Sequence, residues 1–479
     1  GTARVWDLAS DENVEELMPI VYTPTVGRAT REFSHVFRRG RGVWLSPDQS
    51  GRMDEVLESA TGERDIRLIV ATDNQSILGI GDQGAGGMAI SIGKLSLYCA
   101  AAGIPPALTL PVSLDVGTDN ASLLEDPLYL GWRHRRLSGD AYYDFIEEFV
   151  EAVAKVLPRA LVQWEDFRKD RAHTILDRYR RRVLSFNDDI QGTGAVTLAG
   201  IIAAVRKLGG KLSDHRFLIY GAGAAGLGIA RQIRMAIEKE GGHRHDIAAL
   251  DSRGLLVDDV EFSDSYKNEL AWPLELAKER GVDGPGGRDL LSVVKAFRPT
   301  VLIGTSGRPG AFNRAVIESA REHCEAPIVL PFSNPTDYAE ARPGEVLRWT
   351  NGSAIVATGS PFADVNLDGR TFRIGQGNNV FIFPGLGLGS LLSRAEYVSD
   401  GMISATAVAL AEEVTQEELD KGMVYPEIGR LRDVSRVVAA AVMRAASDEG
   451  VGDSLEDSEI ESRIDAAFWD PRYRRYVAA

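Results

Sequence analysis

Cysteine is nearly absent from this chain. Among 479 residues there are two, Cys99 and Cys324, far apart and in no CxxC arrangement. That excludes a disulfide framework and a thiolate zinc site, and it points to a reducing, cytoplasmic setting. The seven histidines form no ligand-spaced set, since His243 and His245 only flank a charged loop, so histidine-bound zinc is excluded as well. Basic charge is also short: the net charge is -15, leaving no excess to displace counterions from phosphates or to seek an anionic membrane surface. Neither nucleic acid nor membrane is therefore expected as a partner. No apolar run approaches the ~20 residues of a membrane span, and the opening GTARVWDLASDEN lacks the basic and apolar parts of a signal peptide. There is no internal repeat and no low-complexity tract.

What the chain does have is 44% hydrophobic residues arranged as strands alternating with helices, enough for two or three domains. RLIVATD (Arg67–Asp73), LTLPVSL (Leu108–Leu114) and LVQW (Leu161–Trp164) read as buried strands. Between them, IGKLSLYCAAAG reads as a helix ended by Gly103, and Tyr142–Val156 as a helix with Phe145, Phe149, Val150 and Val153 on one face. An acidic helix near the N-terminus is expected to stop at Pro19. After Asp189 the pattern repeats, with an apolar helix over Thr197–Arg206 and strands in RFLIYG, DIAALD, TVLIGTS, PIVLPF and AIVATG. The pattern predicts an α/β protein with parallel sheets covered on both faces.

Two acidic pairs stand at strand exits, Glu165-Asp166 in WEDF and Asp188-Asp189 in FNDDIQGTG. Adjacent carboxylates repel, and burying them is costly unless a cation neutralises them. Helix caps or solvated surface acids are the plainer alternative for either pair alone. Two pairs together favour Mg²⁺ or Mn²⁺, which take oxygen ligands. Gly221, Gly223 and Gly226, with Ala224 and Ala225 between them, spell GxGxxG between a strand and a helix, and Asp251 follows at the end of the next strand. That is the context a dinucleotide site requires. A hard metal beside a nicotinamide suggests oxidation of a hydroxy acid. Gly79, Gly81 and Gly84 spell the same motif without a following acid, and GLGLG at 385–389 is glycine-rich too; both are expected to be structural turns. Lys94, inside an apolar helix, either snorkels to water or is a desolvated lysine of lowered pKa acting as a general base. Tyr22 is either a core tyrosine or an acid. Asn334, Asn378 and Asn379 are turn formers whose amides also suit a carboxylate or carboxamide.

Taken in order, MPIVYTPTVG, ILGIGDQGAGGM, GKLSLY, LDVGTDN, WEDF, FNDDIQGT, GAGAAGLGIA, SNPT, ATGSPF and GQGNNVFIFPG resemble the malic enzymes over nearly the whole chain. The resemblance implies that Glu165, Asp166 and Asp189 hold the metal and that Asp188 assists Lys94, the base for the C2 hydroxyl. It makes Tyr22 the acid that protonates C3, and Asn334 and Asn379 the amides that hold malate. Ser306, Asn334 and Asn378 join Gly221, Gly223, Ala224, Ala225, Gly226 and Asp251 as expected cofactor contacts. The implied reaction is oxidative decarboxylation of malate to pyruvate, in a homodimer or homotetramer. The implied organisation is a shortened helical N-terminal segment over 1–40 and a substrate domain over 41–187 completed by about 380–450. A Rossmann-like NAD(P)-binding domain over 188–379 and a tail over 451–479 complete it.

Three features depart from the family pattern, the shortened N-terminal segment being one. Many members carry a substrate-clamping arginine eighteen residues before the lysine, where this chain has Ser76; a hydroxyl cannot make the bidentate charged pair. Malolactic enzymes also lack that arginine, which keeps release of lactate with bound NAD as an alternative, alongside a non-catalytic nucleotide sensor. Asp251 favours NAD through the ribose 2′-hydroxyl, while Ser252, Arg253 and Lys267 keep NADP open.

Overall fold

Aliphatic and β-branched runs become strands, and in the first unit the strand at the middle of the sheet, Leu68–Thr72, is buried along its whole length. The computed structural model describes residues 14–36, 40–284 and 286–470. Two compact units emerge. The first comprises residues 1–188, 383–402 and 427–479, the second 189–382 and 403–426. The stretch expected to complete the substrate domain is thus shared between them.

The first unit is built on a five-stranded sheet in the order β1-β3-β2-β4-β5, all neighbours parallel. The strands are β1 Val43–Leu45, β2 Leu68–Thr72, β3 Thr109–Leu114, β4 Leu161–Trp164 and β5 Ser185–Asn187. Every residue of β2, β4 and β5 is buried, as a parallel sheet covered on both faces requires. The helix Met88–Ala102 packs on β2 and β3 and against the helices Phe383–Leu392 and Leu431–Asp448. The stretch Gly84–Ala102 is, by length and composition, apolar enough to cross a membrane, contrary to the sequence expectation. It is a core helix instead: 83% of its apolar window is buried within the protein.

The helix Gly139–Val156 buries Phe145, Phe149, Val150 and Val153 as its periodicity predicts. Two local expectations fail. The helix Val14–Val21 runs through Pro19, and Tyr22 N–H still reaches the Met18 carbonyl at 3.0 Å. GLGLG is no turn but lies inside Phe383–Leu392, where a Cβ on Gly385 would stand 2.7 Å from the Ser435 carbonyl oxygen. The glycines are there because two helices touch backbone to backbone.

The second unit is a seven-stranded sheet in the order β14-β11-β10-β9-β6-β7-β8. Its strands are β6 Phe217–Tyr220, β7 Ile247–Asp251, β8 Gly254–Leu255, β9 Val301–Gly304, β10 Ile328–Pro331, β11 Ile355–Thr358 and β14 Gly375–Gln376, with the separate hairpin β12 Val365–Leu367 and β13 Arg370–Phe372. All neighbours in the large sheet are parallel except β7 and β8. Strand β6 lies centrally, with β7 on one side and β9 on the other, so chain direction across the sheet reverses there. This is the topological switch of a doubly wound fold, the place where ligands bind.

Candidate active site

In the first unit, strand order and register deliver the acidic residues. Strands β4 and β5 are neighbours with Trp164 opposite Asn187, so Glu165 and Asp188, one residue past each strand, emerge side by side. Helix Met88–Ala102 brings Lys94 to the same point. Its Nζ lies 2.5 Å from Asp188 Oδ2 and 2.9 Å from Glu165 Oε1, and all three side chains are at most 3% exposed. Burial pushes the Lys94 ammonium toward neutrality, but Asp188 and Glu165 overturn this and hold its pKa well above the ordinary lysine value. The expected lowered pKa is therefore corrected: two carboxylates hold the ammonium in place.

Tyr22 joins this cluster. Its ring lies 5.6 Å from Lys94 Nζ, and Phe383 covers the ammonium at 4.6 Å. Gly93 permits the approach, since a Cβ there would meet the Val21 carbonyl oxygen at 3.2 Å. Burial raises the Tyr22 pKa and the Lys94 charge opposes it, so the phenol keeps its proton.

Two residues that sequence reading missed extend the cluster. Gln163 Nε2 donates to Glu165 Oε2 at 2.7 Å, and Tyr98 O–H donates to Gln163 Oε1 at 2.5 Å. A fully buried glutamine inside the apolar strand LVQW was the available signal.

Asp166 sits in left-handed backbone at φ 57°. Its Oδ2 accepts from Leu78 N–H at 3.1 Å and its carbonyl from Ser76 N–H at 3.0 Å. Thus Ser76 holds Asp166 through its backbone, and the loop after β2 is fastened to the acidic pair. Asp189 is peptide-bonded to Asp188. One oxygen from each of Glu165, Asp166 and Asp189 lies within 4.8 Å of the others. Three carboxylates at that spacing, with no sulfur or imidazole, fit Mg²⁺ or Mn²⁺. Asp188, in contact with Lys94, is not one of the three.

In the second unit, Gly221 has φ 124°, and a Cβ on it would lie 2.4 Å from the Thr305 backbone at the end of β9. A Cβ on Gly226 would lie 2.0 Å from the Gly221 carbonyl oxygen, whereas one on Gly223 would meet nothing within 4 Å. The first and third glycines are thus required by packing, and the second leaves open space before the helix Ala224–Lys239, which Ala224 and Ala225 begin. Open space at a helix N-terminus fits a pyrophosphate. Asp251 ends β7 and accepts from Lys267 Nζ at 2.8 Å and Arg253 N–H at 2.7 Å. Burial would raise the Asp251 pKa, but these donors lower it, so it stays ionised.

The remaining predicted contacts are more specialised. Ser306 directs both N–H, at 2.7 Å, and hydroxyl, at 2.8 Å, to Glu340, which also accepts from the Ser333 hydroxyl at 2.6 Å. Ser306 is thus tied to Glu340 in the loop after β9. Glu340, fully buried, was missed. Asn334 Oδ1 accepts from the Ser360 hydroxyl, which leaves its Nδ2, among the described residues, as the donor available to a ligand. Asn378 Oδ1 caps the turn at Val380 N–H, 3.0 Å away, and Asn379 Nδ2 donates to Thr193 Oγ1 at 3.1 Å.

Comparison with known proteins covers most of the chain. Residues 4–180 match the family model for the malic enzyme N-terminal domain, and residues 190–447 that for the malic enzyme NAD binding domain. The NAD-dependent malic enzyme of Pseudomonas aeruginosa is 47% identical, covering 97% of this chain and 83% of the relative. That of Shewanella frigidimarina is 46% identical with the same coverage. Among solved structures, Entamoeba histolytica malic enzyme superposes with a TM-score of 0.65 at 23% identity, over 94% of this chain and 81% of that one. The Pyrococcus horikoshii enzyme gives 0.63 at 23%, over 95% and 89%. This chain belongs to the malic enzyme family.

Proposed function

We propose that this protein oxidatively decarboxylates (S)-malate to pyruvate and CO₂ with NAD as acceptor. The observation that carries the reading is Lys94, buried between Asp188 and Glu165 with Tyr22 beside it. When bound, NAD supplies the hydride acceptor, and a divalent cation held by Glu165, Asp166 and Asp189 supplies Lewis-acid stabilisation of the developing charge.

The chain's own residues handle protons and orientation. Lys94 takes the C2 hydroxyl proton, and Asp188, in contact with its ammonium, balances the charge it gains. Glu165, one of the two carboxylates that keep Lys94 protonated, would be offset by a divalent cation it helps to hold, which favours the neutral amine. Asn334 Nδ2 and the Asn379 amide orient the substrate carboxylates. Once CO₂ has left, Tyr22 gives a proton to C3 of the enolate, producing pyruvate.

NAD is supported over NADP by Asp251, an ionised acid where a 2′-phosphate would have to sit, with the nearby Lys267 already paired to it. Both cysteines are free thiols, which supports a cytoplasmic location. Exposed Ile20, Val36, Leu128 and Leu130 on the first unit support assembly into a homodimer or homotetramer.

The test is incubation of (S)-malate with NAD and Mn²⁺. Equal amounts of NADH and pyruvate are expected, with NADP far less effective. Lactate without NADH would establish the malolactic reaction instead, and cofactor binding without turnover would leave only a nucleotide sensor.

A further inference from the structure

The second unit contains a cavity of about 190 Å³ that no step of the reaction uses. Lys207, Arg370 and Arg373 line it together with Val356 and Phe372. Such a concentration of positive charge is unexpected in a chain of net charge -15. Among the described residues, Arg373 faces Asp364 at 3.9 Å and Lys207 Nζ donates to the Leu419 carbonyl, but no ion pair joins Lys207 or Arg370 to a carboxylate. Arg370 lies over the Phe372 ring at 4.6 Å. Burial and the facing Arg370 hold the Lys207 pKa below the ordinary lysine value, against the opposing pull of Asp420.

Three elements lead from this cavity to the amides assigned to malate. Lys207 stands one residue before the end of the helix Thr193–Leu208, whose first residue accepts from Asn379. Val356 lies on β11, which ends two residues before Ser360, the donor to Asn334. Ile374, also on the cavity wall, immediately precedes β14 and then Asn378 and Asn379. An anion drawn between Lys207 and Arg370 would act on the far ends of the same helix and strands.

We propose that this cavity binds a small organic carboxylate, its charge between Lys207 and Arg370 and its apolar body against Val356 and Phe372, and that occupancy alters how malate is held. The binding half stands by itself; the effect on malate rests on the function proposed above. The apolar walls select a carboxylate with a hydrocarbon body over bare phosphate.

The test titrates 4-bromobenzoate, and separately inorganic phosphate, into the full-length protein saturated with NAD, following heat of binding. The expected result is saturable bromobenzoate binding, weakened about tenfold in Arg370→Ala, abolished in Arg370→Glu and in the Arg370→Ala/Arg373→Ala pair, with phosphate binding more weakly. Anomalous scattering from the bromine in a co-crystal should place it beside Phe372. Bromobenzoate should shift the KM for malate in the parent protein but not in Arg370→Glu, whose kinetics without bromobenzoate match the parent. Equal affinity in parent and Arg370→Glu, a bromine found elsewhere, or phosphate binding as tightly as bromobenzoate overturns the site. Binding lost in the variants with no shift in malate KM overturns the coupling. Failure of the proposed reaction would show differently, as an absence of NADH formation before any bromobenzoate is added.

Discussion

Gln163 and Glu165 lie two residues apart at the end of one strand, and the glutamine amide donates to the carboxylate at 2.7 Å. The other glutamate oxygen faces Lys94 at 2.9 Å. The glutamine's own oxygen takes the Tyr98 hydroxyl. A buried line of hydrogen bonds therefore runs from Tyr98 through Gln163 and Glu165 to Lys94 and Asp188. In a dry interior such a line fixes every member's orientation, and a gap in it costs the desolvation of each group left unpaired. Gln163→Leu should lower stability by about 1–3 kcal/mol, measured by urea unfolding, and should also reduce kcat because Glu165 loses its second anchor. Unfolding and turnover both unchanged would show that the line carries no weight.

Lys94→Ala removes the assigned base. A fall in kcat of about 10²–10⁴ is expected, while NAD binding followed by fluorescence titration stays as in the parent, because the glycine fingerprint and Asp251 belong to the other unit. A drop of only a few fold would reject Lys94 as the proton acceptor.

How much of this was legible beforehand depends on which residues had to meet. The strands were, since fully buried parallel strands are near-continuous apolar runs such as LIVAT and FLIY. The fingerprint was too, because strand, glycines, helix and acid are neighbours in sequence. The proton balance of Lys94 was not: it depends on residues 165 and 188, which only the order of β4 and β5 brings to a helix at 94. Glu340 was hidden for the same reason, its partners Ser306 and Ser333 lying at the ends of two different strands. Pro19 and GLGLG misled because local preference was overridden by packing. The roles given to Tyr22, Asp188 and the three metal acids came from family resemblance, and geometry supplies the contacts that make those roles physically reasonable.

Chelation offers a direct check on the acidic triad. Dialysis against EDTA should abolish turnover, and Mn²⁺ or Mg²⁺ should restore it, with Zn²⁺ a poor substitute for an all-oxygen site. Asp189→Asn should weaken Mn²⁺ binding, read from the electron spin resonance of free Mn²⁺, by about tenfold or more. Full turnover in EDTA, or Mn²⁺ affinity unaltered in Asp189→Asn, would remove these carboxylates from any metal role.

Cofactor choice should turn on one ion pair. Lys267, only 9% exposed, is paired with Asp251 at 2.8 Å and has a second carboxylate, Asp264, at 3.5 Å. With Asp251 present, the lysine is neutralised and an added 2′-phosphate would face an ionised carboxylate. With Asp251→Ala, that repulsion goes, the ribose 2′-hydroxyl loses its acceptor, and the lysine keeps Asp264 but gains room for a phosphate. The ratio of kcat/KM for NAD to that for NADP should therefore fall, by about 10- to 100-fold for a change worth one to two charged contacts. Lys267→Ala alone should leave NAD use nearly unchanged, because the lysine serves NAD only by holding Asp251. Steady-state rates with both cofactors at saturating malate and Mn²⁺ decide it. An unaltered ratio in Asp251→Ala would mean that this acid does not read the ribose and that preference is set elsewhere in the cofactor domain.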